Sequence, residues 1–363
     1  MIPFFDLAAQ QAAIKHQLDK NISKVLAHGK YILGPEVTEL EERLCQYTGA
    51  KYCITCANGT DAIQIALMAI DVGPGDEVIT PAFSYIATAE ATALLGATPV
   101  YVDVDPLTFN INPQLIEDKI TSKTKAIIPV SLYGQPANFN EINKIAKKHN
   151  LIVIEDGAQS FGAEQRGVKS CNLSDIACTS FFPTKPLGCY GDGGAVFTSD
   201  SQLAKVIRRI SKHGQSARYQ HDRLGINSRL DTIQAAILLP KLDILDREIS
   251  KKNEIAKQFN NAFSKVPAIT SPVITPDNKS AWAQYTLKTD SIEKLQTHLK
   301  HLGIPTFIHY PKTLDQQPAV QSTQTDLKTG HKLAKTVVSL PVQPYLSEAE
   351  TQHIISSVND FYK

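Results

Sequence analysis

The sequence predicts an α/β protein with a mainly parallel central sheet and a smaller C-terminal α+β domain. Short apolar runs alternate with segments of helical spacing over most of the first 200 residues, and this alternation favours parallel strands with helices on both faces of the sheet. A Pro-, Ser- and Thr-rich stretch at 263–279 then looks like a boundary. At this chain length we expect two domains, with a large domain and its N-terminal arm at 1–240 and a linker helix and small domain at 241–363.

The apolar runs have the length and composition of buried strands. Predicted strands lie at 51–56, 77–80, 99–103, 125–130, 151–155 and 176–182. Helical spacing is found at 60–71, 84–95, 113–120 and 138–149, and one long helix is predicted at 231–262, where Pro240 could bend it. The C-terminal part is expected to contain the strand Y-T-L-K-T, a helix at 291–302, a short segment at 303–310 and a final helix at 347–362.

Composition excludes several functional classes. The 363 residues are 42% hydrophobic and carry a formal net charge of +1, which gives no electrostatic reason to bind nucleic acid or an anionic membrane through the whole surface. The start M-I-P-F-F-D-L lacks the pattern of a signal peptide, and no apolar run approaches the length of a membrane span. We therefore expect a soluble, cytoplasmic protein.

The six cysteines are scattered through a long chain, which argues against a disulfide framework. Cys53 and Cys56 have the C-x-x-C spacing of half a zinc site or a redox pair. No second C-x-x-C and no closely spaced His pair completes a metal set, and K-Y-C-I-T-C has the pattern of a strand. We interpret the cysteines as structural and expect no metal.

Lys185 stands in the segment S-F-F-P-T-K-P-L-G-C-Y-G-D-G-G-A, between a strand-like run and a glycine cluster. A lysine beside glycine and proline is usually a solvated loop residue. Glycines, however, permit backbone conformations closed to other residues and close approach to a ligand. Earlier in the chain, Asp156 ends the run I-V-I-E-D. Pyridoxal phosphate (PLP) needs an amine for its aldehyde and a carboxylate for its ring nitrogen, so Lys185 and Asp156 predict a PLP site.

The turn N-G-T at 58–60 lies between a predicted strand and a predicted helix. It offers backbone N–H groups and a hydroxyl at a helix N-terminus, which is a favourable phosphate site; an ordinary helix cap is the alternative. Ligands of open α/β sheets gather at the carboxyl ends of the strands. We therefore expect this turn, Asp156 and Thr80-Pro81 at the same edge of the sheet.

Several ordered motifs carry a resemblance. The strings N-G-T-D-A, G-P-G-D-E-V-I-T-P, E-D-G-A-Q-S-F-G-A and N-S-R-L-D, with the Lys185 segment, resemble the DegT/DnrJ/EryC1/StrS sugar aminotransferases, from F-F-D-L to S-L-P-V-Q-P-Y. The resemblance implies a fold-type I PLP-dependent transferase with pyridoxal 5'-phosphate as cofactor. One departure is Gly157, where many relatives have alanine; it leaves the Asp156 carboxylate in place.

The resemblance implies a role for each cofactor residue. Lys185 would form the Schiff base and move the proton during amino transfer, a task that a lysine with a lowered pKa performs well. Asp156 would keep the ring nitrogen protonated. The other cofactor-binding residues would be Gln159 on the ring oxygen, Tyr85 on the ring face, Gly59, Thr60 and Ser180 on the phosphate, and Asn227 on the phosphate from the partner subunit. The last contact implies a homodimer with shared active sites.

Substrate residues are also implied. Both expected substrates carry carboxylates, for which a guanidinium is the natural partner, and Arg229 in N-S-R-L-D is the candidate. His309 and Tyr310 resemble sugar-side contacts, and Tyr31 and His28 lie in a loop that would approach the nucleotide. A solvated loop position is the alternative for each.

Longer strings such as H-G-K-Y-I-L-G-P-E-V-T-E-L-E and A-I-I-P-V-S-L-Y-G-Q resemble one branch of the family. That branch transfers an amino group from glutamate to C3 of UDP-2-acetamido-2-deoxy-3-oxo-glucuronate, in O-antigen synthesis. The alternative within the enzymes is an aminotransferase for a 4-keto-6-deoxy nucleotide sugar. The presence of Lys185 disfavours the dehydratase branch, in which His replaces the Schiff-base lysine. A PLP-binding regulator would need a DNA-binding module, and the sequence contains no extra basic domain.

Overall fold

The computed structural model describes residues 1–323 and 326–363. Its strands are β1 (Tyr52–Cys56), β2 (Glu77–Pro81), β3 (Thr98–Val102), β4 (Thr124–Ile127), β5 (Ile152–Asp156), β6 (Glu164–Gln165), β7 (Val168–Lys169), β8 (Ile176–Ser180), β9 (Gly194–Thr198), β10 (Gln215–Ala217), β11 (Gln220–His221), β12 (Asn278–Lys279), β13 (Tyr285–Lys288) and β14 (Val337–Leu340). Its α-helices are α1 (Leu7–Ala13), α2 (Lys15–His28), α3 (Pro35–Thr48), α4 (Gly59–Ala69), α5 (Ala87–Leu94), α6 (Phe139–His149), α7 (Ser201–Ile210), α8 (Thr232–Phe263), α9 (Ile292–His301), α10 (Lys328–Leu333) and α11 (Glu348–Phe361).

The main sheet has seven strands in the order β1-β9-β8-β5-β4-β2-β3. Strand β9 is antiparallel to both of its neighbours, and the pairs from β8 to β3 are parallel. The predicted mainly parallel α/β sheet is therefore confirmed, and each predicted strand of this sheet is present. Strand β9 was not predicted, although its run G-A-V-F-T is fully buried.

Helices cover both faces of this sheet. On β8, Ala177 packs with residues of α3 and α8, whereas Ile176 and Cys178 pack with residues of α4 and α7. The same alternation separates Cys53 and Cys56 on β1, which belong to these two different clusters. Positions three apart on a strand point to opposite faces, so the C-x-x-C spacing does not bring the two thiols together, and all six cysteines are free.

One predicted helix is wrong. Residues 113–120 form two short 3₁₀ turns, Pro113–Leu115 and Glu117–Lys119, instead of an α-helix. Asn112 caps the first turn through its side chain. The described part of the chain also contains five helices that were not predicted, namely α1, α2, α3, α7 and α10.

The C-terminal part contains the antiparallel pair β13–β14, which packs with α9, α11 and the end of α8 in a cluster that also includes Ile2. The predicted strand and both predicted helices there are present, and β14 was not predicted. Helix α8 continues across the predicted boundary at 240/241, and the division into two domains stays a prediction. Within the described residues, no helix combines the length and the apolarity needed to cross a membrane.

Candidate active site

A cavity of about 560 Å³ lies at the carboxyl edge of the main sheet. Strands β5 and β8 end there side by side, with Asp156 in register with Cys178, and α4 begins there after β1. Most of the predicted site residues line this cavity, as expected for the carboxyl edge of an open sheet. They are Lys185, Asp156, Gln159, Gly59, Thr60, Tyr85, Ser180, His309 and Tyr310.

Lys185 and Asp156 are close enough for each charge to shift the pKa of the other. Burial lowers the pKa of Lys185, and the negative charge of Asp156 acts in the opposite direction. Burial raises the pKa of Asp156, against the effects of the Ala158 N–H and of Lys185. That N–H donates to Oδ1 of Asp156 at 3.0 Å. The enclosure therefore favours a neutral amine, while the carboxylate keeps a hydrogen bond that supports its charge.

The turn before α4 forms a cradle suited to a phosphate. Asn58 caps the helix, since its Oδ1 accepts the N–H of Asp61 at 2.8 Å, and the N–H groups of Gly59 and Thr60 have no intrahelical acceptor. Ser180 lies directly opposite: a Cβ on Gly59 would come within 2.6 Å of the Ser180 Cβ. Two hydroxyls and the helix N-terminus thus converge where only a glycine fits, which is the donor set that a phosphate needs.

The glycines after Lys185 were expected to provide unusual backbone conformations and close approach to a ligand, and the structure gives a different reason for them. None of the glycines from Gly188 to Gly194 has a positive φ, so unusual backbone conformation does not explain them. Gly194 is needed for space, because a Cβ there would lie 2.5 Å from the carbonyl carbon of Asn58. The close approach is between two segments of the protein, and it brings β9 against the phosphate cradle.

Gln159 joins two walls of the cavity. Its Oε1 accepts the N–H of Tyr133 at 2.7 Å, and its Nε2 donates to the hydroxyl of Tyr310 at 3.0 Å. The Tyr133 hydroxyl in turn donates to the carbonyl oxygen of His309, and Nδ1 of His309 lies 2.9 Å from the Ser339 hydroxyl. The segment 309–310, from the C-terminal part, is therefore held against the end of β5.

Tyr85 is 54% exposed and its ring centroid lies 6.0 Å from that of Tyr310. A ring open on one side over the cavity is compatible with stacking on a flat ligand. Burial lowers the pKa of His309 to about 4, with a further contribution from the charge of Lys185. His309 is therefore neutral near pH 7 and offers hydrogen bonds instead of a positive charge.

Four predicted residues do not line this cavity: Asn227, Arg229, Tyr31 and His28. Asn227 is exposed, and the Ser228 hydroxyl beside it accepts the N–H of Ala57 at 3.0 Å. The carbonyl of Tyr31 accepts the N–H of Thr232 at 2.9 Å, so the loop around Tyr31 lies near the same segment. The predicted loop position of His28 is wrong, because His28 is the last residue of α2, which Gly29 ends in the left-handed conformation. Its ring nitrogens contact Glu36 and the N–H of Lys30.

The cavity also contains residues that the sequence did not single out, among them Ser84, Asp192 and Gln284. Ser84 precedes Tyr85, and Asp192 lies within the glycine cluster, so proximity to a named motif was an available signal for both. Gln284, in A-W-A-Q-Y, carried no such signal.

The residues at hand fit PLP: an amine, a buried carboxylate, an amide and a phosphate cradle surround one cavity. Comparison with known proteins decides the family, because residues 12–359 match the DegT/DnrJ/EryC1/StrS aminotransferase family. The chain belongs to this family. It is a PLP-dependent aminotransferase, and the predicted fold class and cofactor are confirmed.

Three similar proteins cover nearly the whole chain. It is 58% identical over 360 residues to the UDP-2-acetamido-2-deoxy-3-oxo-D-glucuronate aminotransferase of Pseudomonas aeruginosa, covering 99% of this chain and 100% of the relative. It is 43% identical over 369 residues to a pleiotropic regulatory protein of Geobacillus stearothermophilus (100% and 99% covered). A solved structure of S. venezuelae DesV in complex with a ketimine intermediate superposes with a TM-score of 0.97 at 36% identity, over 100% of this chain and 98% of that one.

Proposed function

We propose that this enzyme transfers the amino group of glutamate to C3 of UDP-2-acetamido-2-deoxy-3-oxo-glucuronate. The products are UDP-2-acetamido-3-amino-2,3-dideoxy-glucuronate and 2-oxoglutarate. The choice of substrate depends on one observation, the 58% identity over the full length with the Pseudomonas aeruginosa aminotransferase. We place the reaction in the cytoplasm, as a step toward O-antigen or another surface polysaccharide.

PLP, when bound, carries the amino group and draws off the negative charge that develops on the reacting carbon. In this proposal Asp156 pairs with the ring nitrogen and Gln159 donates to the ring oxygen. The hydrogen bonds of Gln159 support that role, because its Oε1 accepts the N–H of Tyr133 and its Nε2 donates one N–H to the Tyr310 hydroxyl. An amide nitrogen has two N–H groups, so the second is left for the cofactor.

Lys185 holds and moves the proton in this proposal. Its burial lowers its pKa, so that the neutral amine, which can accept a proton, is more populated near physiological pH than for a solvated lysine. The carboxylate of Asp156 works against complete loss of the positive charge. Glutamate reacts first and leaves as 2-oxoglutarate, and the keto-sugar then enters the same cavity and takes the amino group.

We further propose that a second copy of the chain completes the site. Asn227 and Arg229 lie outside the cavity of their own chain, and we assign Asn227 to the cofactor phosphate and Arg229 to a substrate carboxylate of the other copy. Tyr31 and Ile32, both 49% exposed, offer apolar surface beside this segment for the contact between copies. Tyr31 and His28 would then approach the nucleotide, and His309 and Tyr310 the sugar.

An absorbance experiment tests the function. Glutamate should remove the visible band of the PLP-loaded protein, because the cofactor is converted to its amine form. The UDP-linked 3-oxo-uronate should restore the band, and a UDP-linked 4-keto-6-deoxy sugar should not.

Restoration by the 4-keto sugar alone would refute the C3 substrate and retain the aminotransferase. If glutamate leaves the spectrum of the PLP-loaded protein unchanged, the proposal that glutamate is the amino donor is refuted. Size-exclusion chromatography with light scattering tests the second copy, and a monomer with full activity would refute it.

A further inference from the structure

Gln284 is a buried amide that lines the active-site cavity, and no described residue forms a hydrogen bond with its side chain. It is 8% exposed, and its Oε1 is enclosed with no partner within the described residues. No hydrogen bond of Nε2 is formed there either, and Nε2 is not among the enclosed, unpartnered atoms. The backbone holds the residue in place, since its N–H points to the carbonyl of Tyr133 at 3.4 Å.

Such an amide is costly in the free protein. An enclosed polar atom without a partner loses its hydrogen bonds to water and gains none in return. Gln165, elsewhere in the fold, is a comparison. Its Oε1 is also without a partner among the described residues, but its Nε2 donates to the carbonyl of Ala137 at 2.8 Å and to Oδ1 of Asn278 at 3.1 Å. No described protein atom accepts a hydrogen bond from Nε2 of Gln284, and Nε2 is not enclosed, so this group is available to a ligand in the cavity.

We propose that Gln284 binds a substrate carboxylate through its Nε2 group. In this orientation Oε1 is enclosed and Nε2 is the polar atom of the amide that stays open, so the group available to a ligand is a donor, and an anionic oxygen is the strongest acceptor for it. The other candidate on this wall, His309, is neutral near pH 7. This inference rests on the proposed function, in which glutamate and the uronate both bring a carboxylate to the cavity.

The substitution Gln284→Met keeps the length of the side chain and removes both polar atoms. We expect the melting temperature of the cofactor-free protein to stay equal or to rise, because no internal hydrogen bond is lost. KM for glutamate, for the 3-oxo-uronate or for both should rise roughly ten- to a hundred-fold, the effect of losing a hydrogen bond to a charged group. Separate measurement of the two half-reactions identifies which carboxylate is bound.

A second variant separates a carboxylate from a hydroxyl. Gln284→Glu places a negative charge where we expect an anion, so KM should rise more than in Gln284→Met. A substrate hydroxyl could instead donate to the new carboxylate, and unchanged binding by Gln284→Glu would refute the proposal.

The matched control is Gln165→Met, which removes two real hydrogen bonds away from this cavity. It should lower the melting temperature and leave KM unchanged. A melting temperature of Gln284→Met that falls as far as that of Gln165→Met would show a structural role and overturn the inference, as would unchanged KM for both substrates. Glutarate binding, measured by calorimetry, tests the donor side without turnover. It therefore distinguishes failure of this inference from failure of the 3-oxo-uronate as substrate.

Discussion

Lys241 provides a prediction about the support of the Lys185 segment. It is 1% exposed and lies in the N-terminal third of α8. Its Nζ donates to the carbonyl of Gly188 at 2.6 Å and lies 4.1 Å from the centre of the Tyr190 ring. Burial lowers its pKa to about 8, while Cys189 and Glu248 act in the opposite direction. The substitution Lys241→Met keeps an unbranched side chain that is one atom shorter and removes the titrating amine.

The size of the effect follows from proton linkage. A lysine in the unfolded chain has a pKa of about 10.4. Below about pH 8 both states hold the proton, and between about pH 8 and about pH 10.4 the unfolded state holds a proton that the folded state has released. The contribution of Lys241 to the free energy of unfolding therefore increases with pH in this window. Between about pH 7 and about pH 9.5 the increase is about 2 kcal/mol.

The assay is urea unfolding of wild type and Lys241→Met at both pH values, at one protein concentration. Buried cysteines with raised pKa lower the stability of the protein over the same range, and the cysteines other than Cys189 do so equally in both proteins. Cys189 interacts with Lys241, so the Cys189→Ser background is compared as well. The stability of wild type relative to Lys241→Met should rise by about 2 kcal/mol on going to the higher pH. Lys144→Met removes an exposed lysine and should show no such change. A difference between wild type and Lys241→Met that is the same at both pH values would refute the reasoning.

Two further predictions concern the cofactor. Gly59→Ala should raise the PLP dissociation constant roughly tenfold or more in an absorbance titration, because the new Cβ would lie 2.6 Å from the Cβ of Ser180 in the predicted phosphate cradle. The control Gly73→Ala, with nothing within 4 Å of its Cβ, should bind PLP as wild type does. Equal dissociation constants for the two variants would refute the cradle. Asp156→Asn should fold normally and lower kcat by roughly a hundredfold or more, the scale of losing one preorganised charge partner; a kcat near that of wild type would remove Asp156 from the ring nitrogen.

The sheet could be predicted because its strands are buried on both faces and therefore appear as continuous apolar runs. This signal located β2 to β5 and β8 within one to three residues at each end. It failed for residues 113–120, where Ile116 and Ile120 have helical spacing but the chain forms two 3₁₀ turns, the first of which is capped by the Asn112 side chain. It also passed over α2 and α3, whose buried residues are spread among charged ones, such as Leu18 and Val25 on α2.

The sequence predicts those parts of the site that lie at the ends of the strands. Asp156 and Ser180 end adjacent parallel strands, so their meeting follows from the order of the sheet. The contact between Gln159 and Tyr310 joins residues 151 positions apart, and no local pattern encodes it; only the resemblance to a family suggested both. Gln284 shows the limit most clearly, because what distinguishes it is a hydrogen bond that is missing in the folded chain.

The charges of the cavity support the proposal that two chains together form one site. Among the described residues that line it, Lys185 is the only lysine or arginine, and Asp156 and Asp192 bring negative charge. The proposed reaction requires this space to hold the phosphate of PLP, the diphosphate of the nucleotide and a carboxylate. The helix N-terminus at Gly59 supports one phosphate, but the remaining anions would be poorly compensated in a partly enclosed cavity. In the proposed arrangement of two copies, Arg229, which does not line the cavity of its own chain, would supply the missing charge from the second copy, and substrate binding would then require association of two chains.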